Sequence, residues 1–87
     1  MDKFPHTLGH KALLTYLREV REAAGVTQVE LAEKIGETQS FVSKCERGER
    51  RLDLIELREW CLALDHPFID FVEGLEERLA PRPKRSR

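Results

Sequence analysis

Between Gln28 and Arg50 the chain concentrates side chains that hydrogen-bond or carry positive charge: Gln28, Thr38, Gln39, Ser40, Ser43, Lys44, Arg47 and Arg50. A glutamine amide can offer adenine a paired donor and acceptor, and a lysine can donate to guanine O6 and N7. Hydroxyls serve either a base or a phosphate, and helix N-terminal N–H groups favour phosphate. This is chemistry for recognition rather than for bond making. His6, His10 and His66 have no evident Ser or Cys partner in a triad arrangement, and no glycine loop suited to phosphate is present. No Cys or carboxylate cluster accompanies His6 and His10, so exposed polar histidines account for them better than a metal. Neither an enzyme nor a cofactor is expected.

Recognition of this kind needs a rigid element to carry it, and residues 27–48, TQVELAEKIGETQSFVSKCERG, supply one. Thr27 is an N-cap whose hydroxyl can accept from a backbone N–H of the first turn, and Glu30 completes a capping box. Val29, Leu31, Ala32 and Ile35 then give an apolar face at helical spacing. Gly36 stops this helix where a positive φ is commonly needed. Thr38 starts a second helix in which Val42 and Cys45 share an inward face, and Gly48 can end it. The small Ala32 permits close packing of two helices joined at a steep angle, which is the geometry of a helix-turn-helix.

The segment resembles the Cro/cI-type phage repressors, the XRE family of helix-turn-helix regulators. Gln28, Leu31, Ala32, Gly36, Gln39, Ser40, Val42, Ser43, Glu46 and Gly48 carry the resemblance, which extends from about Leu17 to about Leu64. Two departures are Glu37, where many relatives have a small apolar residue, and Cys45 at an inward position. The resemblance implies an all-α, compact five-helix bundle of the lambda-repressor-like type, with the helix-turn-helix as its second and third helices. It also implies that Gln28, Thr38, Gln39, Ser40 and Lys44 contact DNA. Outside this motif the same residues would read as helix-start and solubilising side chains. Ser43 faces either a phosphate or solvent, and Phe41 either touches a thymine methyl or packs at the domain edge. In the family the loop after the recognition helix often follows the DNA backbone, where Arg47 and Arg50 would supply affinity and register. The resemblance further implies that Arg21 pairs with Glu46 as a structural ion pair, with neither residue reading DNA.

A formal net charge of −1 looks unsuited to a polyanion until it is divided along the chain. Residues 1–51 sum to +1, residues 52–77 to −7 and residues 78–87 to +5. The local field, not the total, steers a charged partner. The acidic block is expected to face away from DNA. No apolar run approaches the roughly 20 residues of a bilayer span, and the N-terminus has no long apolar stretch of the signal-peptide kind. Cys45 and Cys61 form no CxxC pair, so reduced thiols and a cytoplasmic setting are expected.

The chain as a whole reads as an irregular lead-in over residues 1–9, one domain over 10–79 and a basic, disordered tail over 80–87. The first helix spans about His10 to Ala24, with Leu13, Leu17, Val20 and Ala24 on its stripe and Leu14 and Tyr16 flanking it. Asp53 and Glu56 form a second capping-box pair, opening a helix to about Leu64 with Leu54, Leu57, Cys61 and Leu64 buried. Pro67 suits the first position of a last helix, whose wide apolar face is Phe68, Ile69, Phe71, Val72, Leu75 and Leu79. That face exceeds what so small a domain can cover, which points to a homodimer. These features together predict a sequence-specific transcriptional regulator, most simply a repressor, bound as a homodimer to a near-palindromic site on double-stranded DNA. The alternative is an antitoxin or other interaction module whose last helix binds a protein partner. No membrane association is expected.

Overall fold

The computed structural model describes residues 8–79, which form five α-helices: α1 (Leu8–Ala23), α2 (Gln28–Ile35), α3 (Gln39–Glu46), α4 (Leu54–Ala63) and α5 (Phe68–Leu79). Residues 1–7, with His6, and the tail at 80–87 lie outside the described residues. Helix α1 starts at Leu8 rather than near His10, so Gly9 sits in its first turn and His10 is half-buried.

The helix ends follow from local chemistry. Thr27 Oγ1 accepts from Glu30 N at 3.0 Å while Glu30 Oε1 accepts from Thr27 N at 2.9 Å. The same reciprocal pair opens α4 between Asp53 and Glu56. Each such cap contributes about 1 kcal/mol by satisfying donors that have no partner within the helix. Gly36 closes α2 at φ 74°, in the left-handed region that costs glycine nothing. Gly48 follows α3 at φ 82°, and a side chain there would also press on Leu14 Cδ1 at 2.8 Å. The positive φ is what disfavours other residues there, since the Leu14 methyl ends a flexible side chain that can shift.

Leu17, Leu31, Val42, Cys45, Trp60, Cys61 and Phe71 are the fully buried side chains at the centre. Helices α2 and α3 pack on one another, α2 also meets α4, and α5 lies across α1. The Tyr16 and Phe71 rings stack at 4.6 Å between centroids, joining α1 to α5.

Three positions expected on buried stripes are not buried. Val29 is exposed because it stands two residues, about 200° of helix, from Leu31. Ala24 falls beyond the last turn of α1 and is exposed. Leu54 is 66% exposed in the first turn of α4, and the buried stripe begins a turn later at Leu57 and takes in Trp60, which is 1% exposed. The last helix is likewise split. Phe71 is buried and Phe68 and Leu75 pack against the core, whereas Ile69, Val72 and Leu79 face outward.

Candidate nucleic-acid interface

Helix α3 is eight residues long, and its two sides have different fates. Val42, Cys45 and Glu46 turn inward and are buried. Gln39, Ser40, Lys44 and Arg47 are exposed, and Ser43 is partly so. Helical periodicity requires this division, since residues 39, 40, 43, 44 and 47 share one side. Thr38 fixes the start of the helix by accepting from Phe41 N at 3.1 Å. The structure thus gathers Thr38, Gln39, Ser40, Ser43, Lys44 and Arg47 along one outward edge.

Beneath that edge runs a chain of polar contacts. Arg21 Nε donates to Glu46 Oε2 at 2.6 Å and Arg21 Nη2 to Glu46 Oε1 at 3.0 Å. Arg21 Nη1 also donates to Val26 O at 2.9 Å, so the guanidinium is satisfied on several sides. The Glu46 hydrogen bond holds the arginine charge more firmly than usual, raising its pKa against the opposing effect of burial. Gln28 Nε2 donates to Glu46 Oε1 at 3.0 Å, and Gln39 Nε2 donates to Gln28 Oε1 at 2.7 Å. Gln28, expected only at a phosphate, therefore also joins the buried ion pair to the exposed start of α3. No spacing rule announces this link, because it depends on two long side chains meeting across the turn.

The arginines of the loop are engaged too. Arg47 donates to Ser43 Oγ and makes two bonds of 3.1 Å to Glu49. Arg50 donates to both oxygens of Glu56 at 2.8 and 3.1 Å and lies 4.8 Å over the Phe41 ring. These bonds raise both arginine pKa values and lower those of Glu49 and Glu56. Arg50 is thus a fastening between α3 and α4 in the free protein, and Phe41 packs at the domain edge beneath it. Glu56 was legible only as a capping residue, and Glu49 carried no signal beyond its charge.

The helix-turn-helix family model HTH_3 matches residues 17–70, which include both helices of the motif. The chain belongs to the XRE family of helix-turn-helix regulators. Among solved structures, an XRE-family like protein from Pseudomonas syringae pv. tomato is 44% identical, with 90% of this chain and 95% of that one covered and a TM-score of 0.79. The clp gene regulator ClgR from Corynebacterium glutamicum is 31% identical over 85% of this chain and 95% of its own, with a TM-score of 0.72. A point-mutant form of a restriction-modification controller protein is 25% identical over 84% and 92%, with a TM-score of 0.76. No curated protein matches the sequence significantly. Among the described residues of this XRE-family protein, no group of His, Cys, Asp and Glu could hold a metal ion, and no helix is long and apolar enough to cross a membrane.

Proposed function

We propose that this XRE-family protein is a sequence-specific transcriptional regulator that lays α3 in the major groove of double-stranded DNA. One observation carries the reading. Helix α3 is anchored by Val42, Cys45 and Glu46 on its inner side, while Gln39, Ser40 and Lys44 stand exposed on its outer side. A recognition helix needs both, a fixed position and free base-contacting groups near its N-terminus. Gln39 gives one N–H to Gln28 and retains Oε1 and its second N–H, which complement adenine N6 and N7. Lys44 is assigned to guanine, Ser40 to a base or phosphate, and Thr38, Gln28 and Ser43 to the backbone. Arg47 and Arg50 follow the phosphates by exchanging Glu49 and Glu56 for DNA oxygens.

The regulator acts as a homodimer in the cytoplasm and represses by occluding a promoter. Ile69 and Val72 on α5, with Ile55 and Leu62 on α4, leave apolar surface that a second copy would cover. Two copies of α3 would then enter successive major grooves roughly 34 Å apart. The same surface suits a protein partner, as in an antitoxin, and this is the second reading.

Selection of bound duplexes from a random-sequence pool at near-physiological salt tests both. Enrichment of a two-fold sequence with half-sites about 10 bp apart is expected. A single enriched half-site would remove the dimer and keep the recognition helix. No enrichment at all would overturn the DNA reading in favour of the protein partner.

A further inference from the structure

Gly48 turns the chain back on itself at φ 82° after α3, and Glu49 N then donates to Lys44 O at 2.8 Å. Bonds of this reach close many helix ends, and here the closure brings the Glu49 side chain beside Arg47. Arg47 Nε and Nη2 each donate to one Glu49 oxygen at 3.1 Å, and Arg47 Nη1 donates to Ser43 Oγ. Two side chains assigned to the DNA backbone, Arg47 and Ser43, are thus closed on one another under a carboxylate. The stability of the fold does not call for that carboxylate. The Arg47 and Glu49 side chains are 53% and 55% exposed, where an ion pair contributes little. A negative charge at the C-terminal end of a helix also opposes the helix dipole.

A carboxylate and a phosphate present similar pairs of oxygens to the fork of a guanidinium. The Nε–Nη2 edge of Arg47 takes one such pair at a time. We propose that Glu49 is an internal phosphate mimic, which occupies Arg47 in the free protein and lowers its affinity for all double-stranded DNA alike. This rests on the reading, given above, that Arg47 meets phosphates. Release of Arg47 leaves the Glu49 charge unpaired beside the DNA. That charge takes up a cation and offsets part of the counterion release that drives phosphate contact. Phosphate contacts carry no sequence information, so Glu49 sets the strength of binding and leaves base choice to α3.

Glu56 holds Arg50 in a similar fork but also caps α4 through Asp53 N, so Glu49 is the cleaner of the two to substitute. Glutamine at that position keeps the length of the side chain, loses the charge and can accept only one of the two Arg47 bonds.

Binding of the full chain to a labelled random-sequence duplex is measured over a range of salt for four proteins. They are the unaltered protein, Glu49→Gln, Arg47→Met and the double variant. Glu49→Gln is expected to bind about two- to fivefold more tightly at a given salt. Its log–log salt slope is expected to steepen by up to about 1. Arg47→Met is expected to bind more weakly, with a shallower slope. In the double variant most of the gain is expected to vanish, because the mimic acts only through Arg47. An equal gain with and without Arg47 would show that Glu49 merely repels DNA by its charge, and overturns the proposal. Weaker binding by Glu49→Gln also overturns it, since Glu49 would then be holding Arg47 in place for the phosphate. If Arg47→Met binds as the unaltered protein does, the reading of the loop fails and this inference with it. If Arg47→Met binds more weakly and Glu49→Gln is unchanged, only the inference falls.

Discussion

Arg21 closes on Glu46 through two hydrogen bonds that span 25 residues of chain, and both side chains are under a tenth exposed. The pair ties α1 to the end of α3 at the point where α3 leaves the core. A buried carboxylate that loses its partner keeps its desolvation cost without compensation. Arg21→Ala is therefore expected to lower stability by about 3–5 kcal/mol. Arg21→Lys is expected to restore part of it, since lysine carries the charge but cannot make the paired contact. Urea unfolding at unchanged slope measures both. A loss below about 0.5 kcal/mol for Arg21→Ala would mean that the pair behaves like surface charge.

Gly74 on α5 faces the Tyr16 ring of α1. A Cβ there would overlap the Tyr16 hydroxyl and approach Cζ at 2.7 Å. The ring has little freedom to withdraw, because it stacks on Phe71 and carries Arg78 at 4.4 Å from its centroid. Alanine gains about 1 kcal/mol over glycine in a helix interior. The forced displacement of Tyr16 opposes this with about 1–3 kcal/mol. Gly74→Ala is expected to be net destabilising, and adding Tyr16→Phe to recover part of the loss. A thermal midpoint for Gly74→Ala above that of the unaltered protein would show that the ring yields freely.

Cys45 and Cys61 are each 1% exposed, and burial pushes both thiols up to about 11. Little thiolate exists at neutral pH in such surroundings, and the thiolate is the reactive form. Both cysteines are expected to resist a disulfide reagent in the native protein and to react promptly in urea. One fast equivalent without denaturant would place a thiol at the surface.

Much of the fold was legible because it is written in short-range chemistry. Thr27 with Glu30, Asp53 with Glu56, and Gly36 each specify a helix end from neighbouring residues alone, and the structure has these caps where the spacing predicts them. Apolar periodicity located the inner side of α3 through Val42 and Cys45. The same periodicity was less decisive where apolar residues are abundant. Helix α4 carries Leu54, Ile55, Trp60 and Leu62, and only packing against other helices selects Trp60 for the interior and leaves the other three exposed. The site divides similarly. The outward residues of α3 follow from helical phase once the inner face is known. The Gln28–Gln39 contact and the engagement of Arg50 by Glu56 depend on side-chain reach in three dimensions, for which a linear sequence has no marker.

Glu56 offers a test of how the loop after α3 is held. Its Oε1 accepts from Asp53 N at 2.9 Å and from Arg50 Nη1 at 2.8 Å, and its Oε2 accepts from Arg50 Nη2 at 3.1 Å. The Arg50 hydrogen bonds, and then the Asp53 N–H, hold its carboxyl below the ordinary glutamate value of 4.5. The folded state thus binds this proton less readily than the unfolded chain does. Stability from the ionised group is complete above the unfolded pKa and is lost as pH falls through the lower, folded one. Glu56→Gln retains an oxygen for the Asp53 N–H but lacks the charge. Its thermal midpoint is expected to lie below that of the unaltered protein at neutral pH, with the gap closing as the solution is acidified through the folded pKa. A gap that stayed constant across that range would show that Glu56 acts through shape and capping alone, and that the charge of Arg50 contributes nothing to holding the loop.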